Sequence, residues 1–263
     1  LKELQEHGLW YRGKTRTHKV EIKAIGELKP DDRYQFIFLT VRENQVEEAL
    51  EDISKNKSPN VVTMINTIKP YGRWEKICGK GRIIPAFPGA GGCIEGGILD
   101  AQLLPRAIQP TTFGEIGGRK SSREEALAYI FRKSHIPYQI VPEMHHWQIS
   151  HLGVIVPLAD AYYQSRHPEK ICANEKLMTL TAYRIKKNLK WIAQKGMLCP
   201  AKLYMIKDMP TGMLAGVLSR AYQSEFGNKF LYRHAMHAPE EFQRLHQEFY
   251  NYMKTHTKES NKA

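Results

Sequence analysis

The stretch "YQFIFLTVRENQVEEALEDI", residues 34–53, changes its periodicity halfway along. The unbroken apolar run Phe36 to Leu39 ends at Thr40-Val41-Arg42, and apolar residues then recur at Val46, Ala49, Leu50 and Ile53. The run predicts a strand over 34–41 covered on both faces, with Phe36, Phe38 and Leu39 buried. The later spacing predicts a helix that packs back on the same sheet. Open parallel sheets place their ligand crevice beyond the carboxyl ends of the strands. Arg42 and Gln45 therefore stand where a ligand would be held.

Working outward, "NVVTMIN" (60–66) reads as a second buried strand that ends on Asn66. "LWYRG" and "KVEIKAI" suit a strand pair joined by the polar "KTRTH". "AIQPTTFGEIGG" (107–118) alternates like two further strands, and "YQIV" reads as a last one. "SREEALAYIFRKSHI" is a helix capped by Ser121 or Ser122, with Glu124 and Glu125 in its first turn. Strands alternating with helices argue for a parallel sheet of βαβ units. From Pro142 onward only helical patterns remain: Met144 to about Gln164, Ala173 to about Gln194, and about Gly212 to Lys254 with breaks, one of them at Pro239. The expectation is an α/β domain over 1–142 followed by an all-helical domain over 143–263, with a frayed polar tail, "KTHTKESNKA". The cleft between the two is expected to hold the site.

The chain has 263 residues, 42% of them hydrophobic, and a formal charge of +12 from 39 Lys and Arg against 27 Asp and Glu. The bases are scattered. The densest run, "YRIKKNLKW" (183–191), interleaves Tyr183, Ile185, Leu189 and Trp191 at helical spacing and reads as a solvated helix face rather than a nucleic-acid stripe. Cys78, Cys93, Cys172 and Cys199 lie far apart, with neither zinc-ligand spacing nor the density of a disulfide framework, so a reducing cytoplasm is expected. No apolar run reaches the roughly 18–20 residues needed to span a bilayer. The chain opens on Leu1 within what reads as a helix tail closed by Gly8, and a preceding segment is expected.

The glycine-rich "GAGGCIEGG" (89–97) gives G-x-G-x-x-I. It precedes a strand-like segment instead of joining a strand to a helix, so it reads as a turn or hairpin and not as a dinucleotide fingerprint. In "MHHWQISH", His145 and His146 lie well over 100° around a helix from His151, which excludes a shared metal ion, while Trp147 and His151 share a face. The signatures G-x-S-x-G, S-x-x-K and HExxH are absent. That leaves the strand ends. Arg42 as an exposed helix-start residue and Asn66 as a cap of the turn before Pro70 are equally compatible with the residues alone.

The order strand–"LTVRENQVEEAL"–strand–"MIN"–"PAFPGAG"–"IQPTTFGEIGG"–helix–"PEMHHWQISHLGVIVPLADAYY" resembles the ketopantoate reductase (2-dehydropantoate 2-reductase) family, strongly over 34–165 and weakly after about 200. The resemblance implies a Rossmann-like NADP-binding domain whose first strand, glycine fingerprint and first helix precede Leu1. Such a chain, taken as it stands, is expected to bind NADPH poorly. The resemblance also implies a helical substrate and dimerisation domain, hydride transfer from NADPH to a 2-oxo acid within pantothenate biosynthesis, and room for a homodimer. No nucleic-acid or membrane partner is expected. It places Arg42, Gln45 and Asn66 on the cofactor, with Asn66, Ser150 and His234 toward the substrate. The glycine that follows the family's asparagine is here Thr67. The family's catalytic lysine falls on Gln148 or Ile149, its later asparagines on Leu152 and Val156, and its late acidic residue on Glu225. Neither Gln148 nor Ile149 is a cationic acid. The proton donor is then expected among His151, Ser150 and His234, with His151 best placed beside Gln148. The alternative is a dinucleotide- or metabolite-binding protein of the same fold that has lost catalysis.

Overall fold

A computed structural model describes residues 1–13 and 15–260. It divides into two compact units, Leu1–Met144 and His145–Ala263. The first unit opens with helix α1 (Lys2–His7), closed by Gly8 at a positive φ of 70°, and a hairpin of β1 (Leu9–Arg12) and β2 (Thr17–Val20). The sheet predicted from residues 34–66 follows as β3 (Ile37–Leu39), α2 (Val46–Ser54), β4 (Val61–Met64), α3 (Gly72–Cys78) and β5 (Ile83–Phe87). A second hairpin, β6 (Ala90–Glu95) and β7 (Ile98–Leu103), turns at Gly96-Gly97, where φ is 57° and 79°. Only residues without a Cβ take up such a pair of angles cheaply. This is the turn expected of the glycine-rich stretch. The unit closes with β8 (Thr111–Phe113), α4 (Ser122–Lys133) and β9 (Tyr138–Ile140).

The strands form two sheets, β3-β4-β5-β8-β9 and β2-β1-β7-β6. In the larger, β3, β4 and β5 run parallel, β8 lies antiparallel to β5, and β9 is parallel to β8. Val61, Val62, Ile83 and Ile84 are fully buried, as central strands with helices on both faces require. Val46, Leu50 and Ile53 of α2 are buried, and α4 sets Leu127, Ala128 and Phe131 against Val62, Ile84, Ala86 and Phe113. Ser121 caps α4, its hydroxyl accepting the Glu124 N–H at 3.1 Å.

Four expectations need correction. The predicted strand 34–41 is only Ile37–Leu39, and Phe38 is 41% exposed with Phe36 only partly covered. The cause is position: β3 has β4 on one side and, among the described residues, no strand on the other. The stretch 107–118 contributes one strand, β8, rather than two. The strand β5 was hidden by Pro85, yet the Pro85 carbonyl still accepts the Gly114 N–H at 3.3 Å. The predicted tail is helical through Ser260, and its last three residues lie outside the described residues.

The second unit is built from α5 (Met144–Gln164), α6 (Glu175–Gln194), α7 (Lys202–Asp208), α8 (Thr211–Gln223), a π-helical stretch Gly227–Tyr232, α9 (Arg233–His237) and α10 (Pro239–Ser260). Pro157 lies inside α5 and has no N–H for the Gly153 carbonyl one turn earlier. Asn188 of α6 fills the gap, its Nδ2 donating to that carbonyl at 3.1 Å from a fully buried position. Gly153 permits the approach, since a Cβ there would meet Ile192 Cδ1 at 2.8 Å.

Replacing Asn188 with Leu strands a buried carbonyl and is expected to cost about 1–3 kcal/mol in urea unfolding. In a Pro157→Ala background the helix regains its own N–H, and the same replacement should cost well under about 1 kcal/mol. Equal costs in the two backgrounds would refute this pairing.

Candidate functional site

In the first unit the loops after β3 and β4 lie at the carboxyl edge of the parallel strands. Arg42 opens a single 3-10 turn, Glu43–Gln45, before α2. Gln45 closes that turn on itself: its Oε1 accepts the Arg42 N–H at 3.3 Å, and its own N–H donates to the Arg42 carbonyl at 2.9 Å. The Gln45 side chain is thereby engaged with backbone, whereas the exposed Arg42 guanidinium has no hydrogen bond or ion pair among the described residues. Beside it Lys69 Nζ lies 2.8 Å from Glu43, whose side chain is nearly buried, tying the loop after β4 to the loop after β3. Arg73 and Glu47 tie α3 to α2 in the same way, at 2.5 Å.

Asn66 lies two residues past β4. The turn before Pro70 is capped by its neighbour, the Thr67 hydroxyl accepting the Lys69 N–H at 3.0 Å. That removes turn capping as an account of Asn66. Its Oδ1 is buried with no hydrogen-bond partner, as is the Thr63 hydroxyl on β4. Buried acceptors are normally paired because stripping them of water costs about 1–3 kcal/mol. Asn66 Oδ1 is therefore an acceptor with unspent capacity at this edge of the sheet.

In the second unit, Gln148 and Ile149 are buried on α5. Ser150 is wholly buried and engaged on both sides. Its Oγ donates to the Met197 carbonyl at 3.2 Å and accepts the Cys199 N–H at 3.0 Å. Those contacts pin α5 to the segment after α6. His151 stacks on Trp147 with ring centroids 5.0 Å apart and planes 9° off parallel, the contact predicted by their spacing. Its surface is partly covered, but the ring is packed so densely that desolvation, helped by His234, pushes its pKa down to about 3. At pH 7 this imidazole is neutral. His234, on α9, keeps more exposed surface and meets Phe242 edge-on at 5.1 Å. Burial lowers its pKa, against an upward pull from Glu241 and with a further downward push from His237.

The sequence reading did not anticipate Asp160 and His246, where His246 Nδ1 lies 3.0 and 2.9 Å from the two carboxylate oxygens. They are far apart in sequence and carry no motif. The Glu43–Lys69 tie was likewise invisible, since nothing in the sequence sets the register of the two loops. Among the described residues no group of His, Cys, Asp and Glu is arranged to hold a metal ion, and no helix is long and apolar enough to cross a membrane.

The family model described as "Ketopantoate reductase PanE/ApbA" matches residues 1–115. Among solved structures, the chain is similar to 2-dehydropantoate 2-reductase from Geobacter metallireducens GS-15, with a TM-score of 0.61 at 14% identity, covering 94% of this chain and 87% of that one. It is similar to the enzyme of the same name from Methylococcus capsulatus, at 0.55 and 15%, covering 100% and 88%. It is also similar to D-mandelate dehydrogenase in a ternary structure with NADH and anilino(oxo)acetate, at 0.56 and 13%, covering 97% and 87%. No curated protein matches by sequence. The resemblance to ketopantoate reductases thus rests on the family model over residues 1–115 and on a shared fold, a Rossmann-like α/β part followed by a helical part, over nearly the whole chain.

A buried imidazole that stays neutral makes the fold acid-sensitive. The unfolded chain takes up a proton near pH 6.5 that folded His151 refuses until about pH 3, so stability falls as pH drops through that window. Proton NMR of the imidazoles should show the His151 ring unchanged between about pH 7 and 5, well above its folded pKa. His151→Phe should flatten the loss of unfolding free energy over the same range. A ring that titrates near 6.5 would refute the assignment.

Proposed function

We propose that this chain is a reductase of 2-oxo acids, 2-dehydropantoate or a related compound, using NADPH. The observation that carries the reading is Asn66 Oδ1, buried and unpartnered just beyond the carboxyl end of β4, in the part of the chain that the ketopantoate reductase model matches. Arg42 supports it as an uncommitted cation at the neighbouring strand end. These two groups fit a dinucleotide in part: an acceptor in need of a donor, and a guanidinium suited to a phosphate. Arg42 would favour the 2′-phosphate of NADP over the bare ribose of NAD. Gln45 contributes by holding the Arg42 turn rigid.

When bound, the nicotinamide supplies the hydride. The protein must then orient the acceptor carbonyl and deliver one proton to its oxygen. Gln148, in place of a lysine, offers an amide N–H and no proton. His151 and His234 are the remaining ionisable groups of this set. Both are held neutral by desolvation, and a substrate carboxylate or forming alkoxide beside them would oppose that effect. The pair would gain proton affinity as negative charge arrives. A positioned acid of this kind contributes about 10²–10⁴-fold. Ser150 has no place in this scheme, and the helical unit is assigned the substrate role.

The alternative, a binding protein without turnover, draws on the burial of Gln148 and Ile149 where a lysine would be required. NADPH oxidation by the full-length protein across a panel of 2-oxo acids separates the two, since turnover of none of them would establish the alternative. Arg42→Ala should weaken NADPH by about 1.5–3 kcal/mol while changing NADH affinity little. An equal loss for both cofactors would remove Arg42 from the 2′-phosphate.

A further inference from the structure

The basic run 183–191 reads from sequence as a solvated helix face, and part of it lines a half-open pocket of about 370 Å³ on the surface of the helical unit. Arg184 and Lys187 enter it from α6, Asp160 from α5, and His246 and Tyr250 from α10. Leu180 and Met253 supply apolar wall. None of these residues has a part in the reductase reading, and the cavity stands independently of it.

The polar groups are arranged with capacity to spare. Arg184 uses one guanidinium nitrogen on Gln164 Oε1, at 3.0 Å, and makes no other hydrogen bond among the described residues. The Lys187 ammonium has no acidic partner there. His246 is fixed by Asp160 at 2.9 and 3.0 Å. An ionised carboxylate can only accept, so Nδ1 carries the proton, and the neutral form of the imidazole presents Nε2 as an acceptor. The Nε2 atom has no partner among the described residues. Tyr250 OH is approached by Asn188 Nδ2 at 3.5 Å, and its own proton has no acceptor among the described residues. The Asp160 carboxyl is raised from its usual value, burial outweighing the downward pull of His246 and Arg184.

From this cavity we infer a second ligand site, built for a small organic monocarboxylate that carries a hydroxyl beside its carboxylate and an apolar body. With the imidazole neutral, Arg184 and Lys187 against Asp160 give the lining residues a charge of +1, which a monoanion neutralises and a phosphate dianion exceeds while also facing Asp160. Arg184, Lys187 and the Tyr250 hydroxyl donate to the carboxylate. His246 Nε2 accepts from the hydroxyl. Leu180 and Met253 cover the remainder of the ligand.

Calorimetric titration of the full chain, without cofactor, with 2-hydroxy-3-phenylpropanoate, 3-phenylpropanoate and inorganic phosphate tests the assignment. The hydroxy acid should bind saturably, the deoxy acid more weakly, and phosphate least. Arg184→Met combined with Lys187→Met should weaken both acids by about tenfold or more, with unchanged circular dichroism. His246→Gln should abolish the preference for the hydroxy acid while leaving the deoxy acid nearly unaffected. Asn66→Ala and His234→Asn should leave binding unchanged, which keeps this site distinguishable from the reductase site. Absence of saturable binding at roughly 10 mM, tighter binding of phosphate, survival of binding in the double variant, or its loss in Asn66→Ala would each overturn the inference.

Discussion

The sheet of the first unit depends on one guanidinium. Arg82, just before β5, donates to the carbonyls of Ile53, Asn56, Ser58 and Cys78, Ser58 receiving two of the hydrogen bonds. These carbonyls belong to the ends of α2 and α3 and the segment leading into β4, where the helices leave acceptors without intrahelical donors. A cation is favoured there by the helix dipole as well. Arg123 acts nearby. It pairs with buried Glu115 and donates to the carbonyls of Gly81 and Ile83. Burial alone would raise the Glu115 pKa, but the bonds from Arg123 and Ser121 hold it below the usual carboxylate value. The amino edge of the sheet is thereby closed with saturated hydrogen bonds. The carboxyl edge is not: there Arg42 and Asn66 keep unspent polar capacity.

The helical unit solves a different problem. A proline in the middle of a long helix would leave a carbonyl without a donor, and the unit supplies one from the adjacent helix through Asn188. The same asparagine reaches toward Tyr250, so a backbone repair and a cavity wall share one side chain. Further cross-links are of the same type, with Tyr222 OH donating to the Leu158 carbonyl at 2.7 Å and Tyr163 OH to the Ala235 carbonyl at 2.6 Å. Phenols reaching backbone acceptors let this bundle lock without buried ion pairs at those points.

Much of this was legible from residues 34–66, because β-branched runs and the i, i+4, i+7 spacing of Val46, Leu50 and Ile53 report burial directly. Ser121 as a cap, Gly96-Gly97 as a turn and the Trp147–His151 stack were equally local, and local geometry is what a sequence encodes openly. What failed was context. Phe38 looked like core because periodicity does not count neighbouring strands, and among the described residues β3 pairs with β4 alone. Pro85 concealed β5 because a proline in a strand is tolerated only where neighbours accommodate it. The backbone partners of the Ser150 hydroxyl, 47 and 49 residues away, had no local signal either. His151 was placed correctly on its helix, but its protonation depends on packing from other elements. The thiol-free Asp160–His246 pairing, spanning 86 residues, had no local signal at all.

The Arg82 clamp also bears on how the first unit tolerates substitution. Its acceptors are backbone carbonyls of residues 53, 56, 58 and 78, which no side-chain replacement at those four positions removes. The whole burden of the clamp therefore rests on a single codon. Lysine there would bring one nitrogen in place of a planar fork and could not span the same carbonyls.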